Sequence, residues 1–334
     1  MSQNGNKPVL GIDIGGTKIA GALISRNGEI FHKTQIPTPQ TGPGNSFQQI
    51  ASLIDQILKN AGLYTKDIAG VGIGIPAALE PETDFVLNAP NITGWTNVDL
   101  KGYLQEKLAV PTALEYDGHT AVLGEFWKGA GQGFQNVADV IIGTGIGAGF
   151  IADGRLIRGA NRLAGAVGWQ VLSLFPGEFP EQNETNGFWE SCCSGVGIAA
   201  STQGRFSERE LSQIHVKYGE ITAKTIFDLA KAGNRTAAEI LNQAADRIGI
   251  GLANIISTLN PERIILGGTV GQACDFLLNR ITASAKKSAQ PISARTADIV
   301  TSSLGTDAGL LGAAYGIILR LDGVSRNEEK RRKS

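Results

Sequence analysis

The stretch VLGIDIGGTKIAGALI, from Val9 to Ile24, decides the fold. Its first apolar run (Val9, Leu10, Ile12, Ile14) carries one acid, Asp13, and ends in Gly15, Gly16, Thr17 and Lys18. A second apolar run, Ile19 to Ile24, follows at once and closes at Arg26-Asn27-Gly28. Short apolar runs bounded by turn residues read as strands, and Asn-Gly is a hairpin signal. The segment predicts strand, tight glycine turn, strand. Consecutive glycines let backbone N–H groups converge on one anion. The turn is not a P-loop, which needs G-x-x-x-x-G-K-[ST] entering a helix. Gly11 and Gly16 have that spacing, but Thr17-Lys18 is in the reverse order and a strand follows. Nor is it a dinucleotide fingerprint, whose turn opens a helix. Alone, the segment suits equally an ordinary hairpin whose glycines serve only the turn.

A second copy changes the balance. Asp139 to Asp153 reads DVIIGTGIGAGFIAD, again an apolar run, a glycine-rich turn and an apolar run, closing at Asp153-Gly154. Aligning Gly15 with Gly143 also aligns Gly21 with Gly149. A unit repeated at this separation predicts a duplicated, two-lobed protein rather than a short-period solenoid. One hairpin per lobe, the two facing each other, is the arrangement expected to clamp a polyphosphate.

With both hairpins in view, the chain resembles the ROK family (repressors, open reading frames and kinases) of sugar kinases, within the actin-like ATPase superfamily. Matching features run from GIDIGGTK, Gly11 to Lys18, to GTDAGLLGAA, Gly305 to Ala314, which is nearly the whole chain. The resemblance implies an α/β, actin-like (ribonuclease H-like) duplicated two-lobed fold with a central nucleotide and sugar cleft. It implies a smaller lobe of residues 1–117 plus 306–324 carrying the first phosphate hairpin. A larger lobe, 118–305, would carry the second hairpin and an adenosine-side turn, and 325–334 would be a solvated tail.

Composition agrees with this class. A chain of 334 residues has room for two domains with cores. With 42% hydrophobic and 18% charged residues it is neither disordered nor fibrous. A net charge of -1 gives no electrostatic reason to expect nucleic acid or an anionic membrane as partner. Three cysteines, two of them adjacent (Cys192, Cys193), form neither a disulfide framework nor a CxxC zinc pattern. Reduced thiols, an opening MSQNGNKP without signal-peptide character and no membrane-length apolar run lead to the expectation of a cytoplasmic protein.

Further elements follow from periodicity. Ser46 is expected to cap a helix that buries Phe47, Ile50, Leu53, Ile54, Ile57 and Leu58. Ala69 to Pro76 reads as a buried strand whose Gly72 and Gly74 admit other backbone closely. A strand at Pro111–Glu115 runs into a helix beyond Asp117, and 187–203 reads as largely helical. Helices are expected at 208–218, 222–232, 235–259, 273–288 and 307–321, with strands at 263–268 and 298–302.

Asp117 is the leading chemical candidate. At a strand-to-helix junction it suits a general base that accepts a hydroxyl proton during phosphoryl transfer, and it also suits a helix N-cap. The family carries Asn-Asp-Ala-Asn here with the Asp as base; this chain reads Tyr116-Asp117-Gly118-His119. By resemblance Asp13 orients Mg²⁺ through water, and Gly15, Gly16, Thr17, Gly143, Thr144 and Gly145 contact the phosphates of ATP. Lys18 either neutralises charge there or points to solvent. Gly267 and Gly268 match the adenosine-side turn, or are a plain strand-to-helix turn.

The acceptor pocket departs from the family. Its Ala-Gly-Glu-Ile-Gly-His element reads Ala164-Gly165-Ala166-Val167-Gly168-Trp169 here. A later family Glu corresponds to Glu190, and Asn91 matches a pocket-side position; Tyr116 and Trp169 would face the acceptor. Asn91 also suits a turn and Glu190 a helix first-turn charge. The family's zinc ligands are replaced by Trp169 and Phe188, so no zinc is expected.

These residues imply an ATP-dependent, Mg²⁺-requiring kinase acting on a sugar or sugar derivative. The alternative is a non-catalytic sugar- or nucleotide-binding regulator. Family repressors carry an N-terminal helix-turn-helix, whereas about eight residues precede the first strand here, so no nucleic-acid partner is expected. A homodimer or higher homo-oligomer is what the family implies.

Overall fold

The computed structural model describes residues 7–172 and 187–333, with side chains through residue 323. The first six residues, much of the stretch read for zinc ligands, and the side chains of the C-terminal charge run lie outside the described residues. In chain order, β1 is Val9–Ile14, β2 Lys18–Ile24, β3 Ile30–Pro37 and α1 Pro43–Ala61. Next come β4 (Val71–Ile75), the short strands β5 (Ala78–Leu79), β6 (Val86–Asn88) and β7 (Thr96–Val98), and α2 (Leu100–Leu108). Then β8 (Thr112–Tyr116) leads into α3 (Asp117–Lys128), and β9 (Val137–Ile142), β10 (Ile146–Ala152) and β11 (Arg155–Leu156) follow. Helices α4 (Phe188–Cys193), α5 (Gly195–Ala200), α6 (Glu208–Tyr218), α7 (Ala223–Lys231) and α8 (Arg235–Leu259) precede β12 (Arg263–Gly267). The chain ends with α9 (Gly268–Ala273), α10 (Leu278–Ser288), α11 (Pro291–Thr296), β13 (Asp298–Thr301) and α12 (Ala308–Lys333).

The duplication is written in the sheets. One has the order β3-β2-β1-β4-β8 and another β11-β10-β9-β12-β13, so each strand of the first has a counterpart in the second. In both, the hairpin strands pair antiparallel (β1 with β2, β9 with β10) and the next partners pair parallel (β1 with β4, β9 with β12). Asp153 and Gly154, both at positive φ (48° and 71°), make the tight turn after β10 that their sequence announces.

The described residues form two compact units. The first holds the chain up to Gly133, Leu156–Ala164 and everything from Thr306; the second holds Phe134–Arg155 and Gly165–Gly305. The first unit thus extends past the expected boundary at residue 117. Helix α3 packs on α12 in that unit, and the 156–164 segment is bound to it by ion pairs described below.

In the first unit α1 lays Phe47, Ile50, Leu53, Ile54, Ile57 and Leu58 onto Leu10, Ile12, Ile14 and Ile19. Each fully buried Ile or Leu contributes roughly 1.5–3 kcal/mol. Ser46 does not cap this helix: Gly42 holds that position with Pro at the helix start, and the buried Ser46 hydroxyl donates to the carbonyls of Pro39 and Gly42 instead. Gly72 and Gly74 do admit close neighbours; a Cβ on Gly72 would fall 1.9 Å from the Ala313 carbonyl oxygen of α12. In the second unit α8 is the spine, burying Ile240, Leu241, Ile248, Leu252 and Ile255 against α4, α7 and α10. The 187–203 stretch is two short helices, broken where the Ser194 side chain caps α5.

Candidate active site

The first glycine turn is held by its carbonyls. Thr38 donates its hydroxyl to Gly15 O (2.6 Å) and its N–H to Thr17 O (3.0 Å), while Gln40 Nε2 donates to Gly16 O (2.9 Å). Among the described residues every peptide is trans, and a trans peptide directs the next N–H opposite to its C=O. The amides of Gly16 and Thr17 therefore face away from Thr38 and Gln40, as an anion cradle requires. The exposed Asn91 lies beside this turn; a Cβ on Gly16 would come within 3.0 Å of its carbonyl oxygen.

Asp13, next to the last residue of β1, is partly buried, and Gly309 at the start of α12 leaves room for its carboxyl group. Burial and the charge of Asp117 push that carboxyl up to about 6, against the pull of Lys18 and Lys33. Lys18 thus acts on Asp13 electrostatically although its side chain is exposed. Asp117 is the first residue of α3; the cap position belongs to Tyr116, and Asp117 Oδ1 accepts from the adjacent Gly118 N–H (2.8 Å). Burial pushes Asp117 up to about 6 as well, with the Gly118 hydrogen bond and the His119 charge opposing it. Two carboxylates at a strand end and a strand-to-helix junction thus share one field. A cation relieves such a pair, and one acid acting through water suits Mg²⁺. Among the described residues no group of three His, Cys, Asp or Glu side chains is arranged to hold a metal.

A buried charge network underlies Asp117. Glu115, two residues earlier on β8, receives Arg158 Nε (2.8 Å), Arg162 Nη2 (3.2 Å) and faces His119 Nδ1 (3.0 Å). Burial alone raises Glu115; His119, Arg158 and Arg162 outweigh it and bring the carboxyl down to about 2. Arg162 also binds Asp84 and the Leu114 carbonyl, and Arg320 Nη1 reaches Asp84 at 2.7 Å. Asp84 is lowered because these arginines overcome its burial. Both Asp84 (φ 64°) and Arg162 (φ 59°) adopt left-handed backbone, a cost met only where the surroundings demand it. His119 Nε2 contacts Ala164 O at 2.8 Å, and the ring stands edge-on to Tyr116. The whole assembly ties the 156–164 segment to the helix that begins at Asp117. Sequence reading missed it; its only trace was two acids, three arginines and a histidine scattered along the chain.

In the second unit the turn from Gly143 to Gly145 is closed by Gly143 N–H donating to Gly145 O (2.9 Å). Gly195 N–H, at the start of α5, donates to Gly143 O (2.7 Å), so the exposed Thr144 has its amide turned away from α5. Glu190, on α4, accepts from Ile146 N–H through Oε2 at 2.7 Å. Gly267 ends β12 and Gly268 opens α9 at φ 76°, where a Cβ would strike the Ile142 carbonyl oxygen at 2.4 Å; only glycine fits. Trp169 is 55% exposed and Ala166 is exposed as well.

Two copies of one sheet order, each opening on a glycine hairpin, define a duplicated α/β protein of the actin-like ATPase fold. Residues 9–318 match the ROK family, and the chain belongs to it. A glucokinase of Halalkalibacterium halodurans is 34% identical over 324 residues, 96% of this chain and 98% of its own. A ROK family glucokinase from Streptomyces griseus, solved with glucose and AMPPNP, has a TM-score of 0.77 at 28% identity, over 92% of this chain and 98% of that one. A xylose repressor of Caldicellulosiruptor bescii is 29% identical over 84% of this chain and 73% of its own length. Among the described residues no helix is long and apolar enough to cross a membrane.

Proposed function

We propose that this protein is an ATP-dependent carbohydrate kinase, transferring the γ-phosphoryl group of ATP to a hydroxyl of a sugar or sugar derivative. The observation that carries the reading is Asp117: a carboxylate at a strand-to-helix junction, pushed up to about 6 by burial, whose charge in turn raises Asp13. A base tuned near working pH accepts a proton effectively while remaining mostly ionised at pH 7. Asp117 takes the acceptor hydroxyl's proton as the oxygen bonds to phosphorus and ADP departs. Gly15, Gly16 and Thr17 offer amides to the phosphates, Lys18 adds positive charge, and Gly143, Thr144 and Gly145 do the same in the second unit. Asp13 would hold Mg²⁺ through water; the ion, when bound, neutralises phosphate charge. Gly267 and Gly268 are assigned to the adenosine side. The glucokinase relatives support the reading.

The acceptor is assigned to Asn91, Tyr116, Asp117, Trp169 and Glu190. Ala166 and Trp169 replace a carboxylate and an imidazole of the family pattern, and hydroxyl-binding groups discriminate strongly. Glucose therefore fits the site less well than an N-acylated or otherwise modified sugar. ADP release with MgATP across hexoses, hexosamines and N-acyl sugars, with Asp117→Asn as control, tests this. Turnover on one sugar, lost in the variant, establishes the kinase. The altered acceptor positions and the repressor relative favour one second reading, a binding protein without turnover; ATP bound with no ADP released on any sugar would select it. Action in the cytoplasm as a homodimer completes the proposal, and a monomer in sedimentation would remove its last part.

A further inference from the structure

We infer that Glu190 is a positioning residue for the second glycine turn, its carboxylate fixing the backbone that receives the nucleotide's phosphates. The inference rests on the proposed assignment of Gly143–Gly145 to the nucleotide. Glu190 Oε2 accepts from Ile146 N–H at 2.7 Å, and a Cβ on Gly145 would come within 2.5 Å of that same oxygen. The carboxylate thus lies directly against the turn's last glycine. The Gly145–Ile146 peptide is held from both ends: its carbonyl oxygen receives Gly143 N–H (2.9 Å) and its N–H goes to Glu190. From the following helix, Gly195 N–H fixes the Gly143 carbonyl at 2.7 Å.

The carboxylate is presented from a rigid base. Trp189, its neighbour in sequence, is fully buried on α8, where a Cβ on Gly251 would fall 2.4 Å from the indole. Three residues beyond Glu190, buried Cys193 donates its thiol to the Ala244 carbonyl of α8 at 3.7 Å. A hydrogen bond to an ionised acceptor is about twice as strong as a neutral one. Without it the Gly145–Ile146 peptide keeps only the Gly143 tether, and the turn's N–H groups lose the fixed direction that an anion cradle requires. A residue placed on the acceptor side by family pattern thereby sets the shape of the phosphate turn.

Calorimetric titration with MgADP and with a non-hydrolysable MgATP analogue, in the absence of sugar, separates this from a role in sugar contact alone. Glu190→Ala is expected to weaken nucleotide binding about ten- to a hundred-fold. Glu190→Gln, which keeps an oxygen to accept from Ile146, should recover most of the loss. Wild-type nucleotide affinity in Glu190→Ala, with only the sugar KM raised, would overturn the inference. If Glu190→Ala loses cooperative melting, Glu190→Asp against Glu190→Gln carries the test: the shorter acid retreats from Ile146 and binds nucleotide more weakly, and equal affinities refute the role. Wild-type protein that binds no nucleotide would overturn the turn's assignment itself, and shows before any substitution is made.

Discussion

Replacing Asp117 by Asn separates what the buried carboxylate does for catalysis from what it does to stability. Burial holds Asp117 at about 6 against an ordinary value of 3.8. That gap corresponds to about 3 kcal/mol of destabilisation of the folded protein whenever Asp117 is ionised. Because the folded-state value lies above the unfolded one, the folded protein holds the proton more tightly. The associated stability is fully present below about pH 4 and lost as pH rises through about 6. Asn cannot ionise, and it keeps an oxygen to accept from Gly118 N–H. It also removes the Asp117 charge that helps hold Asp13 up. Urea denaturation at pH 4, 6 and 8 is the assay. The variant should exceed the wild type by roughly 1–3 kcal/mol at pH 8, the lower end allowing for partial exposure, and by nothing at pH 4. Phosphorylation at pH 8 should fall by about 10²- to 10⁴-fold. A variant no more stable than wild type at pH 8, or a gain unchanged at pH 4, would refute the burial argument; undiminished turnover would remove Asp117 as base.

The same value places the acid limb of kcat/KM near pH 6, because the base form of Asp117 is lost as pH falls; a profile flat down to pH 5 contradicts the assignment. Arg162→Met should destabilise the fold by about 3–5 kcal/mol, since it leaves buried Asp84 and Glu115 short of a partner. Arg320→Ala, which removes a half-exposed partner of Asp84, should cost clearly less in the same denaturation series. The double substitution Ala166→Glu with Trp169→His restores the family's polar pair. It should lower the KM for glucose at least ten-fold relative to wild type, and an unchanged KM would locate hexose specificity elsewhere.

Much of the frame was legible in the chain itself. Period-two and period-3.6 apolar patterns are local, so the two hairpins, the buried face of α1 and the long α8 could be placed from neighbouring residues alone. The junction that presents Asp117 was equally visible, because an apolar strand meeting a helix start is a property of contiguous sequence. Ser46 failed as a cap because Gly42 and Pro43 had already started the helix one turn earlier.

By itself, then, the sequence determined the repeated strand–turn–strand units and the identity of the carboxylates, since backbone conformation and burial pattern follow from nearest neighbours. Only the tertiary structure decided which charges meet. Arg162 finds Asp84 across 78 residues and Glu115 across 47, and Glu190 finds Ile146 across 44. Such pairings depend on where the folded core removes water, which no local pattern encodes. In that dry interior the arginines and His119 make Glu115 a strong acid, while burial without such partners makes Asp117 a weak one, two residues apart on the same chain.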